Sequence, residues 1–132
     1  MDSVAVDNYF VEDLFVPRGD GKLFMRARLD SGMECNAISD EKAQELGFEI
    51  QPYSGPQIIE ADGQTFKPIG MVEFLFHFQR ILSAKTWKVP FLIFPSPPFD
   101  VAFGRTFIFK AKLLVRPVEG LPAEFEKLSR GE

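Results

Sequence analysis

The feature that most constrains this chain is strict two-residue alternation in strand-length runs, broken again and again by proline and glycine. In Leu23-Phe24-Met25-Arg26-Ala27-Arg28-Leu29, the residues Leu23, Met25, Ala27 and Leu29 share one face. Phe74, Phe76 and Phe78 likewise share a face, opposite His77. A period of two is the signature of a half-buried strand. Ten prolines spread through 132 residues favour strands with irregular connections over long helices. Further runs at 8–16, 48–50, 71–78, 87–94 and 112–115 read as strands, bringing the expected count to seven or eight. Asp40–Leu46 reads as a short helix, with Ser39 or Asp40 as cap, acids in its first turn and Gly47 as its stop. Gly104–Lys110 reads as a second short helix. Pro17–Gly21 reads as the turn of a first hairpin, which makes its Arg-Gly-Asp tripeptide turn chemistry. The expected fold is all-β, a small closed barrel or sandwich, with no βαβ units and no glycine-rich phosphate loop.

The chain carries 15 phenylalanines and is 45% hydrophobic, enough for one domain with a modest core. A net charge of −4 offers no basic field, so no nucleic-acid partner is expected. Met1-Asp2-Ser3-Val4 opens without a basic and then apolar run, and no stretch reaches the roughly 18 apolar residues of a membrane span. The expectation is therefore a soluble, intracellular, cytoplasmic protein with no membrane partner. Cys35 is the single cysteine, which excludes an intrachain disulfide and accords with a reducing compartment. His77 is the single histidine. It reads as a structural or surface residue in preference to the base of a Cys35 nucleophile. One histidine and one cysteine do not make a zinc site, so neither metal nor cofactor is expected.

The alternating strand at 23–29 ends in Asp30-Ser31-Gly32, a tripeptide that occurs once. A carboxylate can do acid–base work, a hydroxyl can pin the loop, and a glycine admits close approach of a backbone. Taken alone, the tripeptide is also ordinary turn chemistry. Asp30-Ser31-Gly32-Met33-Glu34-Cys35-Asn36-Ala37-Ile38-Ser39 resembles the active-site segment of retropepsin-like aspartic proteases. The likeness is nearest to gypsy-type retrotransposon proteases and the protease domain of DNA-damage-inducible ubiquitin-shuttle proteins. Asn36, Ile38 and Ser39 fall where the retrotransposon pattern has Asn, Ile and Ser. Ile58–Gly70, with Asp62-Gly63 as its turn, resembles the flap hairpin of that family. Phe99-Asp100-Val101-Ala102-Phe103-Gly104-Arg105 resembles its late strand, ending in apolar-apolar-Gly before a helix.

The resemblance spans about residues 8 to 115 and implies a retropepsin-like domain over 1–118. Residues 119–132 read as a polar C-terminal tail or the start of a linker. It implies Asp30 as the catalytic residue, Ser31, Gly32 and Met33 as its loop, and Ala61, Asp62, Gly63 and Gln64 as the flap over an extended peptide substrate. Gly104 and Arg105 are implied as support, Arg105 as an arginine that buttresses the loop. Because aspartic proteolysis needs two carboxylates sharing a proton, one Asp-Ser-Gly per chain implies a homodimer. Two departures stand out. Met33 replaces the usual alanine beside the substrate, and the flap tip has a single glycine, Gly63. An inactive retropepsin-fold dimerisation or interaction module is thus the second reading, and a β-barrel binding domain with Asp-Ser-Gly as a turn the third.

Overall fold

The computed structural model describes residues 10–59, 63–79 and 85–113. Eight strands and two short helices are present among them. In chain order these are β1 (Phe10–Arg18), β2 (Gly21–Leu29), β3 (Ala37–Ser39), α1 (Asp40–Leu46), β4 (Ile58–Ile59), β5 (Thr65–Phe66), β6 (Gly70–Phe78), β7 (Trp87–Phe94), β8 (Val101–Phe103) and α2 (Arg105–Ala111). Six strands close into a barrel in the order β1-β2-β8-β3-β7-β6, while β4 and β5 form a separate two-stranded hairpin. The all-β barrel expected from the alternation is therefore the fold.

The alternation decides what lies inside. Leu14 and Val16 of β1, Met25, Ala27 and Leu29 of β2, and Val72, Phe74, Phe76 and Phe78 of β6 are buried. Phe15, Phe24 and His77 face outward and pack on one another, with centroids 5.7 Å apart for Phe15–Phe24 and 5.6 Å for Phe15–His77. The interior is an aromatic stack. Phe74 lies on Phe91 at 4.7 Å, Phe76 on Phe103 at 5.5 Å, and Phe103 on Phe107 of α2 at 4.7 Å. Offset and edge contacts of this kind add to the burial of large apolar surface. Pro90 sits on β7 ahead of Leu92, where pairing with β3 begins, so its missing N–H faces a stretch with no second strand.

Three local readings are corrected. The first turn is only Gly19-Asp20, because pairing runs on to Arg18↔Gly21, and Gly19 takes a φ of +57°. Pro17 is accommodated there because β1 meets β6 only at Leu14 and Phe15 and has β2 alone beside Pro17. Phe48–Ile50 is not a strand. Phe48 stacks on Phe74 at 5.8 Å as a lid on the barrel, and only Gln51 bridges to Met71. Lys112–Leu113 is not a strand either. The Lys112 N–H donates to Phe109 O and the Leu113 N–H to Ile108 O, which closes α2, and Leu113 is buried as part of that closure. Leu114, Val115 and the expected boundary at 118/119 lie outside the described residues, as does the 119–132 tail.

Candidate active site

β2 delivers Asp30 to the end of the barrel, and β8 fixes it there. The two strands run parallel, with Leu29 opposite Phe103, and the Asp30 N–H donates to Phe103 O at 2.9 Å. The chain then reverses at once. The Met33 N–H donates to Asp30 O at 3.0 Å, and the Gly32 N–H donates to Asp30 Oδ1 at 3.0 Å. This pair of bonds turns the backbone and pins the carboxylate in one step. Asp30 is 8% exposed. A Cβ on Gly32 would lie 3.2 Å from Asp30 Oδ1, so a larger residue would push on the pinned carboxylate.

The loop is held from behind by the segment after β8. Arg105 N–H donates to Met33 O at 2.7 Å, and Gly104 N–H donates to Asn36 Oδ1 at 3.0 Å. Asn36 O accepts from Leu92 N–H at 3.0 Å, so this asparagine ties the loop to both β7 and the α2 start. Gly104 is required by closeness, since a Cβ there would run into the Cys35 carbonyl. The Arg105 side chain is exposed, and its Nη1 makes a long 3.5 Å bond to Ser31 O. Ser39 then starts α1, its Oγ accepting from Lys42 N–H at 2.9 Å, and Gly47 ends it at a φ of +74°. Thus Asp30, Ser31, Gly32, Met33, Gly104 and Arg105 are brought together.

The residues expected to form a flap lie apart from the loop in the chain, and from Phe66 of the neighbouring hairpin a line of rings leads back towards Asp30. β4 and β5 pair Ile58 with Phe66 and Ile59 with Thr65. Ala61 and Asp62 lie outside the described residues, while Gly63 has a φ of +90° and Gln64 is exposed. Phe66 packs on Phe94 at 4.6 Å, Phe94 on Phe99 at 5.9 Å, and the Arg28 guanidinium lies over Phe99 at 4.9 Å. Arg28 Nη2 is 3.6 Å from Asp30 Oδ2. Sequence reasoning passed over Arg28 and the roles of Phe66, Phe94 and Phe99. The i, i+2 spacing of Arg28 and Asp30 was the available signal for the first.

Burial pushes the Cys35 thiol above its ordinary range, which disfavours a thiolate. His77 packs against Phe15 on the outer face of the barrel. Among the described residues, no group of three or more His, Cys, Asp or Glu could hold a metal ion. No described helix is long and apolar enough to cross a membrane. An open depression of about 600 Å³ runs along α1 to Asp100 and does not include Asp30.

No protein-family model and no curated protein matches the chain. Solved structures do. A retropepsin-like aspartic protease from Rickettsia conorii superposes with a TM-score of 0.50 at 14% identity, over 76% of this chain and 68% of that one. The retroviral protease-like domain of Ddi1 from Leishmania major superposes with a TM-score of 0.54 at 10% identity, over 86% of this chain and 98% of that one. At such identities the likeness is one of fold.

Proposed function

We propose that this chain, whose fold is retropepsin-like, is an aspartic endopeptidase acting as a homodimer. The observation that carries the reading is the Asp30 carboxylate, nearly buried at the end of β2 with Oδ1 held by the Gly32 N–H. A carboxylate so held keeps one orientation. Asp-Ser-Gly occurs once in the sequence, so in this reading a two-fold axis between two Asp30 side chains supplies the second carboxyl. One carboxyl then keeps a proton while the other draws a proton from water, and the pair titrates as a unit. The water adds to the scissile carbonyl as the protonated carboxyl gives its proton to the carbonyl oxygen. On collapse the C–N bond breaks, the carboxyl that took the water's proton passes it to the leaving amine nitrogen, and the gem-diol returns a proton to the other carboxylate.

In this reading Ser31 steadies the paired loops and Gly32 lets the substrate backbone approach. Met33 limits the volume next to the scissile bond. Residues Ala61, Asp62, Gly63 and Gln64 of each hairpin cover an extended peptide and exclude water. Gly104 and Arg105 support the loop from behind. The partners are a second copy of the chain and a peptide or protein substrate, in a soluble intracellular setting, with a retrotransposon-derived origin.

A second reading, a non-catalytic dimerisation or interaction module of the same fold, is favoured by Met33. Its thioether stands where the family resemblance places a methyl group. One experiment separates the two: incubation of a randomised peptide pool with the folded protein from about pH 3 to 7, beside Asp30→Asn. Cleavage by the unaltered chain that falls at least about 100-fold in the variant establishes the protease, given what loss of a general base costs. Absence of cleavage by a folded dimer at every pH overturns it in favour of the module.

A further inference from the structure

A cation stands on the same face of β2 as Asp30, two residues earlier. Arg28 Nη2 is 3.6 Å from Asp30 Oδ2, and the two side chains are only 16% and 12% exposed. The guanidinium is also laid over the Phe99 ring at 4.9 Å. With Gly32 N–H on Oδ1, both oxygens of the carboxylate face a positive group, one a backbone dipole and the other a full charge. Phe99 in turn touches Phe94, so the arginine rests on a packed wall and has little freedom to swing away.

Two like charges brought within a few ångströms of each other at a protein surface repel strongly. Bringing two Asp30 carboxylates together would therefore oppose association of the chains unless something compensates. Building on the homodimer reading above, we infer that Arg28 is a positioning residue that carries a counter-charge into the paired site. Each chain brings its carboxylate with a guanidinium already in place. The centre of the dimer then holds two carboxyls between two cations, which offsets the repulsion that opposes association. Arg28 acts through Asp30 and does not itself reach the substrate.

The test is a double-substitution cycle on the dimer dissociation constant. It is measured by analytical ultracentrifugation near neutral pH for the unaltered chain, Arg28→Leu, Arg28→Lys, Asp30→Asn and Arg28→Leu with Asp30→Asn. With Asp30 present, Arg28→Leu raises the constant about tenfold or more, the lower range of couplings measured for close interfacial charge pairs. In the Asp30→Asn background, the same change has no such effect. Arg28→Lys, which keeps the charge, stays within about threefold of the unaltered chain. A loss of association from a structural role alone would be equal in both backgrounds. Where the leucine variant does not fold, Arg28→Gln takes its place in the same cycle. An unchanged constant in Arg28→Leu, or a loss that Asp30→Asn does not relieve, overturns the role given to Arg28 and leaves the protease reading standing. An unaltered chain that stays monomeric at every concentration overturns the homodimer reading, and this one with it.

Discussion

At the scale of single residues, Gly104 shows how close backbone contact makes a site. Its own N–H is held by Asn36 Oδ1, and a Cβ would drive into the Cys35 carbonyl, a rigid obstacle and not the end of a flexible side chain. Gly104→Ala must therefore shift the 33–36 loop, with an expected destabilisation of about 2 kcal/mol or more by urea unfolding. Gly32→Ala meets only the Asp30 carboxylate at 3.2 Å, a side chain that can give way, so its stability loss is smaller. A Gly104→Ala protein as stable as the parent would show that the loop is not clamped there. Asp30-Ser31-Gly32 stands out in the sequence because turn-forming residues follow an apolar alternating run, whereas Gly104 and Arg105 are singled out only by the family resemblance. Arg28 does not stand out, since reading β2 for its buried positions draws attention to Leu23, Met25, Ala27 and Leu29. An arginine on the other face of a strand then passes for solvent exposure. Only the register of β2 beside β8, and the return of Phe99 to this point, turn that face into part of the site.

At the scale of elements, what is local in sequence was legible and what is settled by partners was not. Helix α1 matches its expected bounds because its cap, acidic first turn and stop glycine are all contiguous. The runs at Phe48–Ile50 and from Lys112 read as strands because they are apolar. Apolar side chains can instead be buried by a lid or by a helix closure, and period alone does not distinguish these. The end of α2 makes this quantitative. Lys112 adopts a φ of +58°, a left-handed conformation that costs a residue with a Cβ about 1 kcal/mol relative to glycine. Lys112→Gly is thus expected to stabilise the protein by about 0.5 to 1 kcal/mol, a rise in midpoint visible in thermal unfolding. A fall would mean that the Lys112 side chain, and not its backbone, holds the closure together.

At the scale of the whole molecule, the barrel closes through two parallel pairings, β2 with β8 and β3 with β7, between strands far apart in sequence. Nothing in a run of residues announces such pairings, so the period predicts a barrel without predicting its order. Yet that order decides the chemistry, for it brings the loop after β2 against the turn after β8 and leaves Asp30 at the barrel end. It also leaves a single Asp-Ser-Gly there, which makes the proposed activity a property of two chains. This has a consequence that neither a monomeric hydrolase nor a contaminating one would share. If chains exchange freely, mixing the unaltered protein with nine parts of Asp30→Asn leaves about one tenth of the active chains paired with another active chain. Activity per unaltered chain is then expected to fall about tenfold, while the same dilution with an unrelated protein has no such effect. The measurement is peptide cleavage after equilibration of the mixture, above the concentration at which the chains associate. Activity that stays proportional to the unaltered protein alone would place the whole site within one chain. The second carboxylate would then have to be sought among the other acids of the same barrel, and the symmetric dyad would be wrong.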